Sequence, residues 1–178
     1  MSHQPCAIVG IGQTHHKKAR RDVSYAGLAR EAALRALDDA QMTWSDIDAV
    51  VVGKAPDLFE GVMKPELYLT DALGATGKPM FRVHTAGSVG GTTGIVAAHH
   101  VETGRHQRVL AVALEKQSEG NAQFALGSGK GASIGAGGAF APYMRSYMFR
   151  TGAPDDIGPM VAVKDRLNAL KNPYAHLK

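Results

Sequence analysis

The chain has 178 residues, 44% of them apolar and 20% charged, the composition of a single globular domain with a real core. One cysteine excludes an internal disulfide and a multi-cysteine metal site. No apolar run approaches the roughly 20 residues of a membrane span. The N-terminus lacks the order of a signal peptide, so a soluble cytoplasmic protein is expected. A net charge of +4 accompanied by only 6% aromatic residues points away from a nucleic-acid surface.

Residues 6–11 read as a first strand, with Cys6 a small core residue beside it. The Gly10 and Gly12 that follow lack the third glycine of a dinucleotide fingerprint, so they read as turn chemistry. The basic residues gather in HHKKARR, residues 15–21, with no aromatic interleaved. That pattern suits a solvated loop or one that meets a phosphorylated small molecule. Ser24 caps a predicted helix reaching about Gln41, with an alanine-rich packing face. A polar turn then feeds the β-branched run AVVVG at 49–53, and strand–helix–strand argues for a parallel crossover unit. Residues 54–64 read as a loop, and Pro65 opens a short helix over 66–73.

The rest of the chain is organised around residues 80–116. Residues 80–84 predict a strand, 86–91 a tight glycine-rich turn, 92–102 a helix ending at Gly104, and 107–114 a strand buried on both faces. Such an elbow aims the helix N–H groups at whatever occupies the turn. Beyond it, residues 117–138 read as a long, ligand-covering loop rich in glycine. The GSGKGA within it is a poor nucleotide motif, because Gly131 follows Lys130 where a phosphate loop has Ser or Thr. Residues 140–150 and 157–170 predict two helices, and no closing strand follows them.

Several pieces coincide. VGIG, IDAVVVG, the RVHTAGSVGG turn and VALEKQS together resemble the thiolase superfamily. AVKDRLNALKNPYAHL is similar to the thiolase-like, nonspecific lipid-transfer branch, the thiolases associated with sterol carrier protein. The resemblance runs in order over nearly the whole chain. It implies an α/β fold, a three-layer α/β/α half with a five-stranded mixed sheet, plus part of a helical loop domain. It divides the chain into a core over residues 1–116 and a loop domain over 117–178. The family's C-terminal half, with its catalytic His and second Cys, is expected in another polypeptide or in a longer form of this one.

The resemblance also places the site. The family's nucleophilic Cys, three residues before a glycine, falls on Gly87 when Gly90 is the matching glycine. It falls on Ser88 when the match slides to Gly91. Neither is a Cys. A serine hydroxyl needs a close base, and His84 is near in sequence; the plain alternatives are a turn or capping role for Ser88 and a packing role for His84. Without the covalent nucleophile, the resemblance implies retro-aldol cleavage of a β-hydroxyacyl-CoA, as in sterol side-chain breakdown. The turn's N–H groups would then hold a thioester oxygen or enolate. Tyr143 and Tyr147 are candidate bases or packing residues. Lys164 and Arg166 are candidates for coenzyme A phosphates or plain solvated charge. The alternatives are an acyltransferase with another nucleophile and a non-catalytic acyl-CoA or lipid-binding scaffold. Coenzyme A enters only as part of the substrate, and no metal is expected, since the adjacent His99 and His100 point to different faces. The implied partners are a homodimer mate meeting residues 81–84, the C-terminal half or another chain, and an OB-fold protein.

Overall fold

A computed structural model describes residues 5–54, 61–116, 119 and 135–177. Its centre is β1 (Ala49–Gly53), where every residue is buried. A run of β-branched valines with no polar face can lie only inside a sheet covered on both sides. β2 (Met80–Val83) and β3 (Val109–Ala113) flank it, both parallel, with Val51 opposite Phe81 on one side and Ala111 on the other. Among the described residues the sheet therefore has three parallel strands in the order β2-β1-β3, where five in a mixed sheet were expected.

Helices cover both faces, giving the expected three layers. α1 (Tyr25–Asp39) and α2 (Pro65–Leu69) lie on one face. There Ala29, Ala33, Leu37 and Leu69 pack with Val50, Val52, Leu110 and Val112. Ser24 caps α1 as its sequence predicts, its Oγ accepting from the Gly27 N–H at 3.0 Å. α3 (Val89–Glu102) covers the other face, with Val89 and Ala97 against Val51 and Val83. Gly53 permits that close approach, because a Cβ there would fall 1.9 Å from Thr93 Oγ1. α3 starts three residues earlier than the sequence suggests. Gly104, at φ +72°, closes it with its N–H donating to the Val101 carbonyl.

The first predicted strand is not one. Residues 6–11 belong to no sheet among the described residues. They lie along α1, where Ile11 N–H donates to Asp39 Oδ2 at 2.9 Å. Gly10 and Gly12 serve contact and not a turn: an added Cβ would meet the Ala36 carbonyl oxygen at 2.4 Å and the Ala32 carbonyl oxygen at 2.1 Å. Ile8, Val9 and Ile11 are exposed, and so is Cys6, against the core role expected for it. Strand β3 also departs from expectation. Leu110 and Val112 are buried, while Ala111 and Ala113, on the other face by the two-residue period, stay open.

α4 (Gly135–Thr151) and α5 (Ile157–Ala169) follow as a pair. α5 buries none of its residues, and Phe140, Phe149, Val163 and Leu167 are all exposed. The tail returns to the core, where the Tyr174 ring lies 4.6 Å from that of His15 and 5.4 Å under the Arg35 guanidinium. Residues 117, 118 and 120–134, which include GSGKGA, lie outside the described residues.

Candidate functional site

Parallel α/β sheets offer their ligand sites at the carboxyl ends of the strands, where the loops leave. Here those ends are held level. Lys54 N–H, just past β1, donates to the Val83 carbonyl at 3.2 Å, and Leu114 N–H to the Gly53 carbonyl at 3.2 Å. His84, Lys54 and Leu114 thus follow the three strands side by side.

The elbow after β2 is a single 3-10 turn, Ala86–Ser88, running directly into α3. Ala86 sits at φ +48°, a left-handed conformation that a residue with a Cβ rarely takes. Three hydroxyls pin the turn to the first turn of the helix. Ser88 Oγ donates to the Thr85 carbonyl at 2.9 Å, Thr92 Oγ1 to the Ser88 carbonyl at 3.1 Å, and Thr85 Oγ1 to Thr92 Oγ1 at 3.1 Å. His84, Gly87, Ser88, Gly90 and Gly91 are all exposed there. Cβ atoms placed on Gly87, Gly90 and Gly91 meet nothing within 4 Å. The geometry is a helix N-terminus opening on empty space, with a seryl hydroxyl turned back to the backbone. No hydrogen bond joins Ser88 to His84.

The other sequence candidates stand elsewhere. Tyr143 and Tyr147 lie on α4, 72% and 50% exposed. Tyr143 meets Phe140 at 6.1 Å between ring centroids, and the Tyr147 carbonyl accepts from Thr151. On α5, Lys164 lies 3.3 Å from Asp165, both exposed, and Arg166 is exposed near the helix end. Among the described residues no hydrogen bond, ion pair or ring contact joins any of these four to the elbow.

The sequence reading passed over a buried charge. Lys54 is fully buried; its Nζ lies 3.6 Å from Glu115 Oε2 and 5.9 Å over the Tyr25 ring. Beside it Lys116, also buried, donates to the Val23 carbonyl at 2.7 Å and pairs with Glu119 at 2.6 Å. The signal was a lysine placed directly after a wholly apolar strand, where burial of a charge demands a partner.

The amino end of the sheet carries a separate cluster. His100 stacks on Phe81 at 4.2 Å and lies 5.6 Å from the His106 ring. Burial first, then the charges of His106 and Arg105, hold the His100 imidazole below its ordinary range. Among the described residues no group of three or more His, Cys, Asp or Glu side chains is placed to hold a metal ion. Nor is any described helix long and apolar enough to cross a membrane.

No family model matches the chain. Individual proteins do. Human sterol carrier protein 2 is 33% identical over 116 residues, covering 64% of this chain and 21% of that protein. An acetyl-CoA acetyltransferase from Methanothermobacter thermautotrophicus is 31% identical over 180 residues, covering 95% of this chain and 46% of its own length. Among solved structures, the Ltp2-ChsH2(DUF35) aldolase superposes with a TM-score of 0.71 at 29% identity, over 96% of this chain and 44% of that one. The chain spans less than half the length of each of these three.

Proposed function

We propose, on the premise that this chain is a thiolase-like half of the branch that includes the sterol-carrier-protein thiolases, that it acts on a carbon–carbon bond of an acyl-CoA thioester. The reaction we assign to it is retro-aldol cleavage of a β-hydroxyacyl-CoA, of the sterol side-chain type. One observation carries this choice over acyl transfer. At the elbow, Gly87 faces open space and the Ser88 hydroxyl donates to the Thr85 carbonyl, so the turn carries no activated nucleophile.

The chemistry suits that equipment. A base removes the proton of the β-hydroxyl; its oxygen becomes a carbonyl as the Cα–Cβ bond breaks. The released pair moves into the thioester, forming an enolate, and protonation at Cα completes an acyl-CoA and a ketone or aldehyde. The enolate oxygen is the charge that develops, and N–H groups at the start of α3 are suited to it. In this reading His84, exposed just ahead of the elbow, supplies a further donor, and Gly90 and Gly91 leave room for the acyl group along the helix. The base comes from Tyr143, Tyr147 or the complementary half.

That half is part of the proposal. The chain matches 44% of the aldolase chain, and that aldolase is built with ChsH2(DUF35). The apolar side chains exposed on α4 and α5 are what a missing neighbour would cover. We assign the partners as the C-terminal half or another chain, an OB-fold protein, and a second copy meeting the outer edge of β2.

The test is an assay of β-hydroxyacyl-CoA cleavage on the natively purified complex, with mass spectrometry of the protein after incubation with acyl-CoA. Cleavage without an adduct supports the reading. An acyl adduct on Ser88 establishes the acyltransferase instead. Thioester binding without turnover, with every partner present, makes the chain a scaffold.

A further inference from the structure

The loop HHKKARR folds into one wall of a cavity of about 450 Å³ at the carboxyl edge of the sheet. His15, His16, Lys17, Lys18 and Arg20 line it from the loop, and Glu115 and Lys116 close it from the end of β3. That volume lies within the roughly 300–1,000 Å³ of small-molecule sites. Two of its cations are fixed in place. Arg20 bonds Asp22 at 3.0 Å and Glu31 at 2.7 Å, which anchors the loop to α1. Lys116 holds the Val23 carbonyl and Glu119.

The other two are uncommitted. Lys17 and Lys18 are exposed and form no ion pair or hydrogen bond among the described residues; Lys17 acts on Asp22 only through its field. Beside them His16 Nε2 meets Gln13 Nε2 at 2.9 Å, and the His15 ring packs at a tilt on Tyr174, 4.6 Å between centroids. The cavity thus joins a pinned frame to two unpaired ammonium groups and two imidazoles, against one lining carboxylate, Glu115. Ammonium groups on long stems are suited to phosphate as point charges, with imidazole N–H groups as directional donors.

We propose that this cavity binds the phosphate groups of the coenzyme A portion of the thioester, which rests on the function assigned above. Position supports it. The cavity's floor follows β3, and β3 lies two strands from β2 at the same carboxyl end of the sheet, with the elbow following β2. A ligand held here by its phosphates needs a long arm to bring its reacting end to the elbow, and coenzyme A has one.

The test needs no turnover. Adenosine 3′,5′-bisphosphate is titrated into the full chain by calorimetry at low salt, alongside inorganic pyrophosphate. The variants are K17Q/K18Q and, for the competing lysine–arginine pair on α5, K164Q/R166Q. Thermal melts confirm that each variant is folded. We expect the adenosine bisphosphate to bind more tightly than pyrophosphate, K17Q/K18Q to weaken it about tenfold or more with a shallower salt dependence, and K164Q/R166Q to leave it unchanged. Wild-type affinity in K17Q/K18Q, loss only in K164Q/R166Q, or no binding to wild type overturns the assignment. Equal affinity for pyrophosphate marks a general anion site and overturns the coenzyme A handle. Failure of the cleavage assay leaves the binding result standing, and failure of binding leaves the cleavage result standing.

Discussion

Replacing Gly53 by alanine should disturb the molecule more than any other single methyl group in the sheet. The new Cβ would sit 1.9 Å from Thr93 Oγ1, 3.0 Å from Thr93 Cβ and 3.2 Å from Val89 Cγ2. The first distance is about 1 Å short of any tolerable contact. Thr93 cannot easily swing away, since it is buried and its hydroxyl donates to the Val89 carbonyl at 2.7 Å. Either α3 lifts from β1 or the hydroxyl loses its partner. Overpacking of this kind costs about 1–3 kcal/mol, and we place G53A near 3. Thr93→Ala alone should cost about 1 kcal/mol, the usual net worth of a hydrogen bond. Because T93A removes the clashing oxygen, the double variant should be more stable than the sum of the two losses by more than 1 kcal/mol. Urea unfolding followed by fluorescence of Trp44, the single tryptophan, reads all three variants. A loss below about 0.5 kcal/mol for G53A, or strict additivity in the double variant, would refute the packing argument.

Gly87→Cys, in a Cys6→Ser background, should fold normally, because its Cβ meets nothing within 4 Å. Its thiol should alkylate faster at neutral pH than a free cysteine, since the start of α3 favours the thiolate; an ordinary pH–rate profile would count against the elbow geometry. Asp48 accepts from Arg108 N–H and Gln107 N–H at 2.9 Å each, and these bonds, that from Arg108 first, hold its carboxyl below the ordinary range. Its contribution is therefore present above the unfolded pKa, near 4, and is lost as pH falls through the lower folded value. Asp48→Asn should lose about 0.5–1 kcal/mol at pH 7, a figure reduced for exposure, and should show a flatter acid limb in melts from pH 7 to 2. Gly94→Ala should stabilise the isolated chain by about 0.5–1 kcal/mol, because the helix gains propensity and the methyl group meets nothing within 4 Å; destabilisation in urea would mean that the face is already covered.

Local chemistry made much of the fold legible. Ser24 announced α1 because an N-cap needs only a hydroxyl and the three residues after it. AVVVG announced β1 because a continuous apolar run has no water-facing side to offer. Residues 6–11 were misread for the opposite reason. Their composition suits a strand, but a strand exists only with a partner, and pairing is decided by residues far along the chain. GIG was legible as close backbone approach only once the neighbour, the small-residue face of α1, was known. Lys54 escaped notice because its significance depends on Glu115, sixty-one positions later, and on Tyr25 from another layer.

The elbow separates two uses of glycine that look alike in a sequence. Gly53 has neighbours on top of it, so this chain's own packing explains it. Gly87, Gly90, Gly91 and Gly94 have none within 4 Å. Gly94, inside α3, costs about 1 kcal/mol there relative to alanine, and its open Cβ position meets nothing that would recover that loss. Room kept open at a stability cost is room for something to approach a backbone closely. At the start of α3 the approaching group we assign is a thioester, whose developing oxyanion meets N–H groups left unpaired by the helix itself. Gly87 then makes sense in the place of a nucleophile. The retro-aldol step proposed above gains nothing from a side chain there.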